Sequence, residues 1–227
     1  MFLRHSMFVA AMSLLLVSSA TTAGAVVLWD QSNWNPNGEG SLNLSSTSAC
    51  SQISGNTRLH TANDVHFSTA VNINSIKIYE THGNVEAATQ AYLWIAPKTG
   101  ALPTASSTDV NNAANIVPIA ISYETVGTDQ TVVVTASGLN ITLPAGDYWV
   151  SLTPRHNRGS LFPWTIHRIT SSAVVGDPTP SIEACTPNSN WIYVLAPAMY
   201  DYAIKIEGEM ATPTLPSTWG ALKSIYR

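Results

Sequence analysis

Asp64 and His66 stand two residues apart in Asn63-Asp64-Val65-His66-Phe67. On a strand that spacing puts both side chains on one face. A carboxylate beside an imidazole there could bind a metal or work in acid–base chemistry, but a solvated strand face carries such pairs just as well. His60, His66 and His82 have none of the compact spacings that zinc sites use. The chain has no Gly-x-Ser-x-Gly elbow, no Gly-rich phosphate loop and no EF-hand-type calcium loop. Glycoside hydrolysis needs two carboxylates a few ångströms apart, and the spacing of Glu80, Glu86, Glu124, Glu183, Glu207 and Glu209 pairs none of them. No catalytic residue, metal or cofactor is therefore expected. A secreted hydrolase ranks behind two non-catalytic functions.

Binding has more to work with. Trp34, Trp164 and Trp191 lie in or beside loops, and flat aromatic faces at the rim of a β-sandwich can stack on the apolar C–H face of a sugar ring. Arg155, His156, Arg158, His167 and Arg168 surround Trp164 in sequence. Such a concentration of cations favours an acidic glycan. Trp164, Trp191, Arg155, Arg158 and Arg168 are accordingly the candidate ligand-binding residues. The plainer alternative is that the aromatics cap the core and the cations solvate a loop.

The elements that must position these residues are strands. Leu139, Ile141 and Leu143 alternate with Asn140 and Thr142, and Tyr148, Val150 and Leu152 resume the alternation after Pro144-Ala145-Gly146-Asp147. Two period-2 runs around four turn residues predict an antiparallel hairpin. The adjacent bulk of Tyr148 and Trp149 predicts that its second strand is central and covered on both faces. Val71 and Ile73 alternate, then Ile76 and Ile78 do so on the opposite parity, which predicts a β-bulge at Asn74-Ser75 or burial on both faces. Val117–Tyr123 alternates as well, and Pro118 places its start at a sheet edge. Tyr200, Tyr202, Ile204 and Ile206 give the cleanest half-buried pattern. No sustained 3.6-residue period occurs beyond the leader. About ten short strands separated by turns predict an all-β, single-domain β-sandwich, jelly-roll-like, with one disulfide.

Residues 1–25 read as a signal peptide: Arg4 and His5, an apolar Met7–Val17, then the small-x-small site Ala23-Gly24-Ala25. The apolar run is shorter than the ~20 residues a membrane span needs, and no later stretch could span one. Cleavage before Val26 leaves a β-sandwich domain at 26–209 and a Pro/Thr-containing tail at 210–227. Charged residues are 11% of the chain and the net charge is −4. A mildly acidic chain does not suit nucleic acid, which calls for a basic surface. In an exported protein the two cysteines, Cys50 and Cys185, most often pair. That bridge would close a loop of about 135 residues, worth on the order of 5 kcal/mol in the chain-entropy model. Two unpaired thiols are the alternative.

The tail contains Pro213-Thr214-Leu215, then Pro216-Ser217-Thr218-Trp219-Gly220. It resembles the start of the C-terminal sorting signals of bacterial PEP-CTERM and IPTL-CTERM proteins. In those families a proline-containing motif precedes a membrane-spanning run and a basic end, and a dedicated membrane protease processes the tail. The glutamate of the PEP motif is absent here, and only seven residues follow Gly220, with Lys223 among them. The signal therefore looks truncated or degenerate, and no transmembrane anchor is expected in the mature chain. Pro144-Ala145-Gly146-Asp147-Tyr148-Trp149 and the closing Tyr200–Gly208 strand are similar to the β-sandwich domains often found ahead of such tails. The resemblance implies an exported protein, extracellular, at the cell surface or periplasmic. The expected function is a non-enzymatic structural or adhesive role, with extracellular polysaccharide or other surface proteins as partners. A carbohydrate-binding module using loop Trp and Arg residues is the alternative.

Overall fold

A computed structural model describes residues 24–33, 58–81, 88–100, 102–103, 112–126, 129–155, 165–166, 168–169, 182–186, 191–193 and 201–210. Among them the chain is all-β, apart from one 3-10 turn at Ala113–Asn115. The strands are β1 (Val26–Gln31), β2 (Arg58–Phe67), β3 (Val71–Thr81), β4 (Gln90–Pro97), β5 (Ile116–Pro118), β6 (Ala120–Val126) and β7 (Asp129–Leu143). Then come β8 (Gly146–Pro154), β9 (Thr165–Ile166), β10 (Arg168–Ile169), β11 (Ile182–Thr186), β12 (Ile192–Tyr193), β13 (Asp201–Tyr202) and β14 (Ile204–Met210). Sheet I runs β1-β14-β3-β7-β6, with β9 also paired to β3. Sheet II runs β12-β11-β2-β8-β4-β5, and β10 and β13 form a small ribbon. The pairings are antiparallel throughout.

Period-2 alternation brings the two sheets together. Ile73, Ile76 and Ile78 of β3, Val132, Val134 and Ala136 of β7, and Ile204 and Ile206 of β14 meet Val65, Phe67, Leu93, Val150 and Leu152 of sheet II in one buried cluster. Each large apolar side chain buried this way contributes about 1.5–3 kcal/mol. Between Ile73 and Ser75, β3 advances two residues against one of β14, Gly208 to Glu207, so the change of parity at Asn74-Ser75 is a bulge. A second irregularity lies close by, at Val27/Trp29 in β1.

The hairpin expected at Leu139–Pro154 does not form. β7 pairs with β3 and β6 in sheet I, whereas β8 pairs with β2 and β4 in sheet II. Pro144 and Ala145 therefore carry the chain across the core from one sheet to the other. Gly146, at φ +152°, opens β8, and the Tyr148 hydroxyl donates to the Pro144 carbonyl at 3.0 Å. A crossing and a hairpin share one alternation pattern, because Leu139–Leu143 and Tyr148–Leu152 line the same core from opposite sides. The expectation of a central strand holds. Tyr148, Val150 and Leu152 face the main core, and Trp149 is buried on the other face of sheet II.

The Val117–Tyr123 run is also divided. β5, with Pro118, is an edge of sheet II, and after Ile119 the chain enters sheet I as β6. Proline lacks a ladder donor, so it sits where sequence placed it, on an edge.

One end of the inter-sheet space is polar. Gln31 Nε2 donates to Asp201 Oδ2 at 2.8 Å. The Asn63 side-chain amide bonds both backbone groups of Tyr202: its Nδ2 donates to the carbonyl at 2.6 Å, and its Oδ1 accepts from the N–H at 3.0 Å. This clamp joins β2 to β13, so a sheet II strand holds the segment leading into the last strand of sheet I. Residues 1–23 of the leader, residues 211–227 of the tail and Cys50 lie outside the described residues. Cys185 is in β11 opposite Leu59, but its side chain, and with it the expected disulfide, also falls outside them.

Candidate functional site

The two sheets present different outer faces. Across β1, β14 and β3, sheet I carries a charge ladder: Lys77 Nζ to Glu207 Oε2 at 2.8 Å, Lys205 Nζ to Glu207 Oε1 at 3.4 Å, and Lys205 Nζ to Asp30 Oδ2 at 3.7 Å. The hydrogen bond from Lys77 holds the Glu207 carboxyl below its ordinary range. Partly exposed pairs of this kind add solubility and little stability.

The outer face of sheet II is aromatic. Alternation sends Trp149 of β8 and Trp94 of β4 away from the main core. There they pack with Ala62 of β2, Ile182 and Ala184 of β11, and Trp191 just before β12, forming a second buried cluster. The indole rings of Trp94 and Trp191 stack 4.8 Å apart at 15°. All three tryptophans are nearly inaccessible, at 6%, 1% and 2% for Trp94, Trp149 and Trp191. The indole N–H groups of Trp149 and Trp191 are buried with no hydrogen-bond acceptor. Packing gains must outweigh those unmade bonds.

Polar groups bound this cluster at both ends. At one, Lys98 Nζ binds Asp64 Oδ2 at 2.8 Å and stands 5.2 Å from the centre of a Trp149 ring. His66 Nδ1 and Asp147 Oδ1 lie 2.7 Å apart on the exposed side of the same end. At the other, the Arg155 guanidinium lies 5.3 Å from the centre of the Tyr92 ring, and its Nη1 donates to Gln90 Oε1 at 2.5 Å. Tyr92 meets His60 edge-on at 5.6 Å, and His60 Nδ1 is 3.1 Å from Thr153 Oγ1.

Of the residues singled out from sequence, Arg155 and Trp191 belong to one continuous row. It runs from Arg155 over Tyr92, then two residues along β4 to Trp94, and on to Trp191. Trp191 is stacked and buried, so it offers no open face for a sugar ring. Arg155 is half-buried, with its Nε buried and without a partner. Trp164 and Arg158 lie outside the described residues. Arg168 is in β10, its backbone opposite Tyr202, and its side chain is outside them. Asp64 and His66 do share a face, but each is engaged by its own partner, Lys98 and Asp147.

Sequence reasoning missed Lys98. It follows β4 by one residue and is separated from Asp64 by thirty-three intervening positions; no local pattern links them. Trp94 and Trp149 were legible as strand residues, but only sheet order shows that they share one face. Among the described residues no three His, Cys, Asp or Glu side chains are placed to hold a metal ion. A cavity of about 10 Å³ in the polar end of the core, beside Thr61, Asn63 and Tyr202, has room for about one water molecule. Comparison of the chain with protein-family models, with curated proteins and with solved structures finds no match.

Proposed function

We propose that the chain is an exported, non-enzymatic β-sandwich protein with a structural or adhesive role at the cell surface or in the extracellular matrix. One observation carries this reading. β1 begins at Val26, the residue after the Ala23-Gly24-Ala25 site, and Gly24 and Ala25 are exposed. Leader removal there leaves every strand of both sheets intact. A jelly-roll connection fits as well. β1-β14-β3-β7 against β2-β8-β4-β5 is the strand order of two interlocked Greek keys. A disulfide between Cys50 and Cys185, outside the described residues, is part of the proposal. Fractionation of the producing cells is expected to recover the protein outside the cytoplasm. Recovery from the cytoplasmic fraction alone would remove the reading.

A second reading, carbohydrate binding, is favoured by half-buried Arg155, whose Nε has no partner and whose guanidinium lies over Tyr92. Purified protein should then retain an acidic polysaccharide, with affinity falling about tenfold or more in Arg155→Ala, as for a lost charge-assisted hydrogen bond. No retention on any acidic glycan of an array argues against it.

A further inference from the structure

Glu80 interrupts an otherwise apolar stripe. Along β3, Ile76 and Ile78 point into the main core, and period 2 puts Glu80 next on that inner face. It is only 5% exposed, and its Oε2 is buried with no hydrogen-bond partner. Opposite it stand Val132 of β7 and Ile166 of β9. Among the described side chains no cation faces it. On β3 and β14, Lys77, Lys205 and Glu207 occupy the outer face and bind one another. β7 presents Thr131, Val132, Val133 and Val134. The buried carboxylate of β13, Asp201, is bonded by Gln31. An ionised carboxyl at Glu80 would be a buried charge without compensation. β9 meets β3 only at Glu80 and Thr81, through two residue pairs.

We propose that Glu80 is an alkaline-sensitive latch: its neutral carboxyl lets the β9 end of the sandwich close, and its ionisation loosens that end. Burial pushes the Glu80 carboxyl from its ordinary value of 4.5 up to about 8. The folded chain therefore keeps a proton that the unfolded chain has already released. The stabilising effect of the neutral form is complete below pH 4.5 and is lost as pH rises through about 8. Replacement by glutamine keeps the shape, stays neutral and removes the titration.

The test compares the full chain with Glu80→Gln in chemical unfolding from pH 5 to pH 9.5. Relative to the variant, the folding constant of the natural chain is expected to fall by up to about tenfold per pH unit and to level off above the folded-state value. Hydrogen exchange at pH 9 should be faster in β9 and the end of β3 of the natural chain than in the variant at the same pH. Parallel unfolding curves across the range would overturn the proposal. Should Glu80→Gln not fold, the Glu80 ¹³Cδ shift of the natural chain decides. A midpoint near 8 supports the latch, and one below about 6 contradicts it.

Discussion

Trp149→Ala is expected to destabilise the fold by about 3–5 kcal/mol, as large aromatic truncations in packed sites do. Trp149 is 1% exposed and belongs to the cluster on the outer face of sheet II. Its removal opens a cavity in that cluster beside Ala96, its partner on β4, which lacks the volume to fill it. It also takes away the ring that Lys98 faces at 5.2 Å, leaving the Asp64–Lys98 pair more open to water. The buried indole N–H without an acceptor partly offsets the loss, since truncation removes that unmade bond too. Trp149→Phe should therefore cost less than Trp149→Ala. Urea unfolding measures both, and a change below about 1 kcal/mol in the alanine variant would mean that the outer face is not a second core.

Gly208→Ala is expected to destabilise by about 3 kcal/mol, at the upper end of the usual range for overpacking. A Cβ at Gly208 would stand 2.1 Å from the Asn72 carbonyl oxygen and 2.9 Å from Leu28 Cδ1. Leu28 could rotate away. The carbonyl belongs to the neighbouring strand β3, so it can move only with the β14–β3 ladder. The bulges of β1 at Leu28 and of β3 at Asn74 flank β14 here, and glycine beside a bulge commonly marks a close backbone approach. Thermal unfolding of the variant should show a clear drop in Tm; an unchanged Tm would mean that the two strands stand further apart than this.

How legible these features are in sequence depends on the range over which the cause acts. Strand positions are local, and alternation located β3, the end of β7, β8 and β14. Parity around Asn74-Ser75 even exposed the bulge. Pairing is not local. Leu139–Leu143 and Tyr148–Leu152 have the same pattern whether their strands lie side by side or face each other across a core, so the crossing at Pro144 looked like a hairpin. Ile119, between β5 and β6, carries no signal of its own, yet the chain changes sheets there. The same limit applies to the candidate site. Arg155 and Trp191 join through Tyr92 and Trp94, both on β4, which follows neither residue in the chain. Glu80 was visible only as one acid among several, because what distinguishes it is a buried carboxyl oxygen without a hydrogen-bond partner among the described residues.

The export of the chain is the claim on which the proposed role depends, and the intact mass of the protein recovered outside the cytoplasm tests it most directly. The expected mass is that of a chain beginning at Val26, lower by two hydrogen atoms than the reduced form if the proposed bridge between Cys50 and Cys185 forms. Recovery only inside the cell, with residues 1–25 still attached, would contradict the account.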